Sequence, residues 1–197
     1  MKVAVVKYNA GNIHSVMNAL KRVGVEPVLT DNADELRAAD RVVFPGQGEA
    51  SHAMDYLRKH GLDQVIRSLN QPVLGICIGQ QLMCRHSEEG DVDCLGIFAA
   101  DVCRFHPQYH EQKVPHMGWN QLEGIKDPLL KGLHEGAFAY FVHSFYVPVG
   151  DFTIATTTHI LPFSAAVRSG NFMATQFHPE KSGSVGEQIL KNFLGDI

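Results

Sequence analysis

Four short apolar runs in the first half of the chain constrain its fold more than any other feature. They are Val3–Val6, Val28–Leu29, Val42–Phe44 and Val73–Ile76. Runs of this kind are typical of strands that are covered on both faces of a sheet. Between the first two runs, apolar residues recur at helical spacing from Ile13 to Leu20, and Asn12 is placed to cap that helix. The alternation predicts an α/β fold, with a mostly parallel central sheet flanked by helices.

The second half of the chain is richer in strand patterns. Two pairs of strand-like runs, 140–142 with 145–147 and 165–168 with 172–176, each flank a short turn. The last two form a predicted hairpin around Gly170. A closing helix follows, with Ser182 or Ser184 as its predicted cap. We therefore expect antiparallel strands added to the sheet and, because no linker or repeat interrupts the chain, one domain over residues 1–197.

The composition is that of an ordinary globular protein and argues against several classes of function. Of the 197 residues, 45% are hydrophobic and 19% are charged, and the net charge is −4. A net negative charge argues against general nucleic-acid binding, which needs clustered basic charge, but leaves a local basic patch open. No apolar stretch approaches the ~20 residues that span a bilayer, and the first residues lack the apolar segment of a signal peptide. We expect a cytoplasmic protein that binds neither nucleic acid nor membrane.

The four cysteines, at positions 77, 84, 94 and 103, show no metal-binding or disulfide pattern. No two of them are separated by two residues, so neither a zinc knuckle nor a thioredoxin-like motif is present. Disulfides are not expected in a chain of this length with so few thiols. We therefore expect reduced cysteines, no metal and no cofactor.

One cysteine stands in a distinctive setting. Cys77 follows the run Val73–Ile76, has a glycine two residues before and two residues after it, and precedes a predicted helix that extends to about Cys84. This is the pattern of a nucleophile elbow, in which a strained turn exposes the nucleophile at the carboxyl edge of a sheet. The helix N-terminus would stabilise the thiolate, and the N–H of Ile78 would donate to a tetrahedral oxyanion. The alternative is a buried cysteine between two packing glycines.

A thiolate nucleophile needs a base, and the base needs a group that orients it. Of the eleven histidines, His178 is the best placed, because it follows a strand-like run and precedes the stiff residue Pro179. Glu180 could turn back to the imidazole and hold one tautomer. The alternative for this segment is an exposed His-Pro turn.

A glycine-rich segment, Pro45–Gly48, follows the third apolar run and so lies at the same predicted sheet edge as Cys77. Its glycines would let main-chain N–H groups approach a ligand or reverse a peptide. We assign Gly46 and Gln47 to the second half of an oxyanion hole; the alternative is an ordinary turn. The segment is not a phosphate-binding loop, because no Lys-Ser or Lys-Thr pair follows it.

Together, the segments Pro45–Gly48, Gly75–Gln81 and His178–Glu180 resemble the motifs of class I glutamine amidotransferases. The motifs occur in the order and spacing of that family, and the resemblance covers nearly the whole chain. It implies a flavodoxin-like α/β fold. It also implies that Cys77, His178 and Glu180 form a triad that hydrolyses the side-chain amide of L-glutamine to L-glutamate and ammonia.

The same resemblance assigns substrate contacts. Gln81, one turn into the helix, matches a position that contacts the glutamine substrate. His143, Ser144 and Phe145 match a segment whose backbone holds the α-amino and α-carboxyl groups of that substrate.

Within the family, the chain is most similar to the glutaminase subunits of imidazole glycerol phosphate synthases, which act in histidine biosynthesis. Three segments carry this similarity: Tyr8–Val16, Pro115–Asn120 and His178–Ser182. The similarity implies a heterodimer with a (β/α)8-barrel cyclase. Ammonia would pass through the barrel to a phosphoribulosyl-formimino aminoimidazole nucleotide and yield imidazole glycerol phosphate and an aminoimidazole carboxamide nucleotide.

The resemblance also leads to candidates for the partner interface. They are Asn12, Met117, Trp119 and Lys181. Trp119 is the only tryptophan, and aromatic anchors are enriched at the centres of interfaces. The alternative for Trp119 is a position in the core.

Three other functions stay open. The chain could supply ammonia in a related pathway, such as surface-sugar synthesis. It could be a stand-alone cysteine hydrolase or peptidase on the same fold, which would need no partner. It could also be a scaffold or regulatory subunit in which Cys77 is unreactive.

Overall fold

The structure is a computed structural model, and it describes residues 1–9 and 11–195. These residues form six α-helices: α1 (Ile13–Arg22), α2 (Ala33–Arg37), α3 (Ala50–Lys59), α4 (Leu62–Arg67), α5 (Ile78–Leu82) and α6 (Gly183–Leu194). The same residues form thirteen strands. The first seven are β1 (Val3–Val6), β2 (Val28–Thr30), β3 (Arg41–Phe44), β4 (Val73–Ile76), β5 (His86–Ser87), β6 (Val92–Asp93) and β7 (Asp101–Arg104). The others are β8 (His116–Leu122), β9 (Ala137–His143), β10 (Phe145–Tyr146), β11 (Thr153–His159), β12 (Leu161–Ser169) and β13 (Phe172–Thr175).

The main sheet has seven strands in the described part of the chain, in the order β11-β12-β13-β4-β3-β1-β2. From β13 to β2 every strand pairs in parallel with its neighbour. Strand β12 pairs antiparallel with both β13 and β11 and so extends one edge of the sheet. The predicted fold class, a mostly parallel sheet with added antiparallel strands, is confirmed.

Apolar layers cover both faces of this sheet, because successive side chains of a strand point to opposite faces. On one face, Val3 and Val5 belong to a core cluster with residues of α1 and α6. On the other face, Ala4 and Val6 belong to a cluster with residues of α2, α3, α4 and α5. The central strands are therefore buried on both sides, as their continuous apolar runs predicted.

The strand order determines where a site can lie. Parallel strands end at the same edge of a sheet, and here β1, β3, β4 and β13 are parallel. The chain runs from β1 to β2 in one direction and then to β3 on the other side of β1, and open α/β sheets bind ligands outside such a reversal. The residues that follow these four strands directly or within three positions are Tyr8, Pro45–Gly48, Cys77 and His178. They meet at one edge.

Strands β5, β6, β7, β8 and β11 were not predicted, whereas β9 and β10 overlap the predicted runs at 140–142 and 145–147. Strands β8 and β9 pair antiparallel in a separate two-stranded sheet, from His116 opposite His143 to Leu122 opposite Ala137. The short strands β10, β7, β5 and β6 form a four-stranded sheet in that order within the described residues. Strand β11 lies at the edge of the main sheet.

Two predicted helix caps are wrong. Asn12 and Ser182 occupy the N-cap positions of α1 and α6, but in the described structure neither side chain binds an N–H group of the first turn. Both side chains bind residues of the candidate active site instead, as described below.

Some expectations stay untested. One domain over residues 1–197 remains a prediction, and Ala10 and the last two residues lie outside the described part of the chain. Across residues 1–9 and 11–195, no helix combines the length and the apolar character that crossing a membrane requires.

Two glycines explain how β4 can turn directly into α5. A Cβ atom on Gly79 would overlap the carbonyl oxygen of Phe44 in β3. A Cβ atom on Gly75 would lie 2.9 Å from the carbonyl carbon of Gly79. Side chains do not fit at such distances in a close-packed interior. The glycines on both sides of Cys77 are therefore required by main-chain contacts.

Replacing Gly79 with alanine should destabilise the fold, because the rigid carbonyl group of Phe44 has to move away. We expect the free energy of unfolding of Gly79→Ala to fall by about 3 kcal/mol, the upper part of the range for overpacking. Urea denaturation measures this change. Gly195→Ala is the control, because its Cβ would meet its nearest neighbour at an ordinary 3.4 Å. Equal stability of the two variants would contradict the contact.

Candidate active site

Cys77 lies at the sheet edge in a backbone conformation that residues with side chains rarely adopt. Its φ is 54° and its ψ is −107°, and its N–H donates to the carbonyl oxygen of Thr175 at 2.8 Å. Such a conformation costs on the order of 1–3 kcal/mol, and residues that adopt it cluster at functional sites. The sulfur is 3.6 Å from Nε2 of Gln176 and 3.9 Å from the carbonyl oxygen of Val142. The strand–turn–helix geometry predicted around Cys77 is present.

The Cys77 side chain lines an open cavity of about 250 Å³. Seven residues with predicted roles line this cavity: Gln47, Cys77, Ile78, Gln81, His143, Ser144 and Phe145. The carbonyl oxygen of Gln47 accepts from the N–H of Gly11 at 2.9 Å, which ties the glycine-rich segment to the loop after β1. The structure thus brings the predicted nucleophile, part of the predicted oxyanion hole and all predicted substrate contacts to one cavity.

His178 and Glu180 form a buried pair next to Cys77. His178 Nδ1 is 2.8 Å from Glu180 Oε1, and each side chain is 1% exposed. Because a carboxylate only accepts hydrogen bonds, Nδ1 carries a proton. Nε2 is therefore available to exchange a proton with the sulfur of Cys77. Nε2 is buried and has no hydrogen-bond partner among the described residues. The three side chains have the arrangement of a nucleophile, a base and an orienting carboxylate.

The groups around His178 favour its charged form. Burial by itself lowers the pKa of His178, but the adjacent Cys77 sulfur and the Glu180 carboxylate outweigh it. They raise the pKa of His178 from 6.5 to about 9. An imidazolium beside the sulfur favours the thiolate, which is the nucleophilic form of cysteine.

Asn12 extends this group of residues on the carboxylate side. Its Nδ2 donates to Glu180 Oε1 at 2.8 Å, and the same oxygen accepts from His178. The backbone of Asn12 is left-handed, with φ 64°, a conformation that asparagine adopts more readily than most residues. A second donor therefore holds the carboxylate in place. The role of Asn12 at a partner interface remains a prediction.

Main-chain contacts hold His178 in position. Its N–H donates to the carbonyl oxygen of Tyr140 at 2.9 Å, and its own carbonyl oxygen accepts from the Ser182 hydroxyl at 2.7 Å. The Ser182 hydroxyl also accepts from the N–H of Tyr140 at 2.9 Å, and this engagement explains why it does not cap α6. Helix α6 packs directly on the same turn, because a Cβ on Gly186 would overlap the carbonyl oxygen of Pro179.

The predicted oxyanion hole lies where α5 meets the segment Pro45–Gly48. Ile78 is the first residue of α5, so its N–H has no acceptor within the helix. Gly46 packs between Tyr8 and Ile78, whose side chains occupy the space that a Cβ would need. The hydroxyl of Tyr8 donates to the carbonyl oxygen of Pro45 at 2.5 Å and braces the segment. The roles of Gly46, Gln47 and Ile78 as oxyanion donors stay predictions.

Two residues that line or contact the site, Glu89 and Gln176, were not predicted from the sequence. Glu89 lines the cavity, its Oε2 accepts from the N–H of Ala50 at 3.1 Å, and burial raises the pKa of its carboxyl. Gln176 is fully buried and contacts the sulfur of Cys77. Its place between a strand and His178 was a usable signal. Glu89 lies in a polar loop with the composition of an exposed turn, which gave no signal.

The side chain of His143 belongs to a buried histidine pair. Nδ1 of His116 is 2.9 Å from Nε2 of His143, and Nδ1 of His143 is 2.7 Å from the carbonyl oxygen of Phe145. Burial lowers the pKa of His116 to about 4 and that of His143 to about 3, so both rings are neutral near pH 7. The pair connects β8 to the segment that lines the cavity.

The predicted interface residues on β8 face outward. Met117 is 64% and Trp119 is 56% exposed, so the alternative core position for Trp119 is wrong. On the paired strand β9, Phe138 is 50% exposed, and Tyr140 packs edge to face against Trp119 at 5.9 Å. We refer to the surface formed by Met117, Trp119, Phe138 and Tyr140 as the β8–β9 face. Lys181 is also exposed.

The raised pKa of His178 should depend on the Cys77 sulfur. A charge on His178 contributes stability that is fully present below pH 6.5 and is lost as the pH rises through about 9. In Cys77→Ala we expect the His178 imidazole to titrate at a lower pH than in the wild type. NMR titration of the histidine ring resonances measures this shift, with the exposed His134 as an internal control. An unchanged His178 titration would mean that the sulfur does not act on the imidazole.

Comparisons with known proteins agree with this geometry. The sequence matches the family described as glutamine amidotransferase class-I over residues 4–197. A relative from Bacteroides fragilis named imidazole glycerol phosphate synthase subunit HisH is 63% identical over 194 residues, which cover 98% of this chain and 99% of the relative. A protein of the same name from Bacteroides thetaiotaomicron has the same identity and coverage. One from Idiomarina loihiensis is 44% identical over 98% of this chain and 97% of its own length.

Solved structures share the fold. A protein from Thermoplasma acidophilum, described as belonging to a GMP synthase, superposes with a TM-score of 0.77 at 23% identity, over 99% of this chain and 93% of the other. A crystal structure of a glutamine amidotransferase superposes with a TM-score of 0.75 at 21% identity, over 97% of this chain and 96% of the other. At these identities the likeness concerns the fold alone. The sequence match over nearly the whole length shows that the chain belongs to the class I glutamine amidotransferase family.

Proposed function

We propose that this chain is the glutaminase subunit of an imidazole glycerol phosphate synthase. It would hydrolyse L-glutamine to L-glutamate and ammonia, and the ammonia would serve L-histidine biosynthesis. The observation that carries the proposal is the near-full-length similarity to subunits of that name, because family membership alone fits other glutamine-dependent syntheses. The buried His178–Glu180 pair beside Cys77 supports the hydrolysis, and the β8–β9 face supports a partner.

The cavity offers the groups that a free amino acid needs. The carboxylate of Glu89 matches the α-ammonium group of glutamine. The main chain of Ser144 and Phe145 supplies hydrogen-bonding groups for the α-carboxylate, and Gln81 adds a side-chain amide. With these groups held, the substrate's own amide reaches Cys77.

The reaction follows from the arrangement of the triad. The Cys77 thiolate attacks the amide carbon of glutamine, a C–S bond forms, and the carbonyl electron pair moves to the oxygen. The N–H groups of Ile78 and Gln47 stabilise that oxyanion. His178 donates its Nε2 proton to the amide nitrogen as the C–N bond breaks, so that ammonia leaves and a glutamyl thioester remains. Water, deprotonated by His178, then attacks the thioester and releases glutamate and the thiolate.

The proposed partner is a (β/α)8-barrel cyclase that receives the ammonia. The β8–β9 face suits an interface, because contiguous exposed apolar surface marks binding sites. It also lies close to the chemistry: His116 of β8 contacts His143 at the cavity, and Tyr140 of β9 binds the main chain of His178. The proposed contacts are Asn12, Met117, Trp119 and Lys181.

Replacing the nucleophile tests the reaction. We expect Cys77→Ser to lower glutaminase activity in the complex with the cyclase by at least about 10³-fold, because a serine hydroxyl is a far weaker nucleophile than a thiolate. Glutamate formation measures this loss. Cys103→Ser is the matched control, because Cys103 lies outside the cavity and should leave the activity unchanged.

Full activity of Cys77→Ser would rule out the mechanism.

The same assay without the cyclase tests whether the chain depends on a partner. We expect weak hydrolysis by the isolated chain and a strong rise when the cyclase and its nucleotide ligand are added. High activity of the isolated chain on peptides or esters would favour a stand-alone hydrolase instead.

Truncating the exposed tryptophan tests the interface. We expect Trp119→Ala to weaken binding to the cyclase about tenfold or more, because large aromatic residues near an interface centre carry much of its binding energy. Isothermal titration calorimetry measures the dissociation constant. Tyr109→Ala is the control, since Tyr109 is 67% exposed but lies outside the β8–β9 face. Equal dissociation constants for the two variants would place the interface elsewhere.

A further inference from the structure

Gln176 is a residue outside the triad that touches the reacting sulfur. Its side chain is fully buried, and its Nε2 lies 3.6 Å from Cys77 Sγ. It directly follows β13 and precedes His178 by two residues. The same strand end therefore presents both the base and this amide to the nucleophile.

The neighbours of Gln176 determine which end of its amide faces the sulfur. Nε2 of Gln81 is 3.1 Å from the carbonyl oxygen of Phe145, which can only accept, so this end of Gln81 must be the NH2 group. The same NH2 group is 2.9 Å from Oε1 of Gln176, so that end of Gln176 must be the acceptor. The NH2 group of Gln176 is thereby directed at Cys77. An amide flip would set two donors against each other.

The carbonyl oxygen of Phe145 also accepts a hydrogen bond from the histidine pair, through Nδ1 of His143. Because that oxygen accepts, His143 carries its proton on Nδ1, and its Nε2 accepts from Nδ1 of His116. Nε2 of His116 then accepts from Nδ2 of Asn120 at 3.2 Å, and Nδ2 also donates to the carbonyl oxygen of Thr158 at 3.0 Å. In this series of hydrogen bonds every donor therefore faces an acceptor. The series extends from Asn120 in β8 to the carbonyl group of Phe145, which orients the amides of Gln81 and Gln176.

A buried thiolate needs hydrogen-bond donors, because its charge is otherwise unsolvated. The carbonyl oxygen of Val142, 3.9 Å from the sulfur, offers only an acceptor. The NH2 group of Gln176 offers a donor, and donation to an ionised acceptor is stronger than donation to a neutral one. We propose that Gln176 is a further catalytic residue, whose amide N–H stabilises the Cys77 thiolate and directs it toward the cavity.

The proposed role of Gln176 depends on the proposed function in one respect: the group that the thiolate attacks is the amide of glutamine. Under that function, Gln81 has a second task. Its NH2 group is engaged by Phe145 and Gln176, so its carbonyl oxygen is the end that remains for the substrate. One amide would then contact the substrate at one end and orient the nucleophile's donor at the other.

Alkylation of Cys77 by iodoacetamide across pH 5 to 10 tests the proposal without glutamine or a partner. The background is the full chain with Cys103→Ser, and burial raises the pKa of the Cys84 and Cys94 thiols, which favours reaction at Cys77. Mass spectrometry of the Cys77 peptide gives the rate. Removing the donor in Gln176→Leu should move the midpoint of the rate profile about one pH unit upward, which is about tenfold slower alkylation on its acid side. The limiting rate at high pH should be unchanged.

If Gln176→Leu fails to fold, Gln176→Glu provides a second test. Glutamate preserves the size of the side chain and the oxygen that accepts from Gln81, but it places a negative charge near the sulfur. The midpoint of the alkylation profile should therefore rise further.

Gln80→Leu is the matched control. It removes another fully buried glutamine, whose Nε2 donates to the carbonyl oxygen of Ser164 at 3.3 Å, and the midpoint of the alkylation profile should stay unchanged.

The outcomes separate the two proposals. A midpoint that stays at the parent value in both folded Gln176 variants overturns the role of Gln176. An equal shift in Gln80→Leu also overturns it, because the effect would then follow from loss of packing. If the wild-type complex fails to hydrolyse glutamine, the proposed function is wrong, whereas the alkylation profile still decides whether Gln176 stabilises the thiolate.

Discussion

The close approach of helix α5 to strand β3 determines the position of everything at the candidate active site. At Gly79 the helix lies so near the carbonyl group of Phe44 that a methyl group would not fit, and Gly75 meets the same stretch of helix from β4. Because the helix packs so closely on the sheet, only one residue, Cys77, connects the end of β4 to the start of α5. Cys77 adopts a positive φ, and the first turn of α5 lies at the sheet edge. The neighbouring strands β3 and β13 are parallel to β4, so the segment Pro45–Gly48 and His178, which follow them, lie at the same edge.

The proposed base, His178, is positioned in a similar way, through main-chain contacts rather than through side-chain packing alone. His178 is hydrogen-bonded at its N–H to Tyr140 and at its carbonyl group to Ser182. Helix α6 leaves no room between Gly186 and Pro179. The imidazole therefore has little freedom, and the carboxylate of Glu180 selects its tautomer. Such preorganisation is what acid–base and nucleophilic catalysis require, because the groups need not rearrange during the reaction.

How far the sequence could predict this structure depends on whether the determining contacts are local. Strands β1 to β4 and the helices between them were predictable, since each is specified by a short apolar run or stripe. The Cys77 elbow was predictable from two glycines and their flanking elements. Strand β8 was not, because its pattern is inverted: Met117 and Trp119 face outward, whereas the polar residue His116 is buried. The Gln176–Gln81 contact joins residues 95 positions apart, so no local pattern could reveal it. The Asn12 cap failed for the same reason, since Asn12 binds Glu180, 168 positions away.

The strained backbone at Cys77 has a consequence for how such a chain can decay in evolution. Glycine adopts a positive φ without the steric penalty that a Cβ brings. A change from cysteine to glycine at this position would thus relieve strain on the order of 1–3 kcal/mol while it abolished the chemistry. Folding stability and activity act on this residue in opposite directions. Under the proposed function, only the reaction favours cysteine over glycine at this position, and a lineage that no longer needed the reaction could lose Cys77 without any cost in backbone strain.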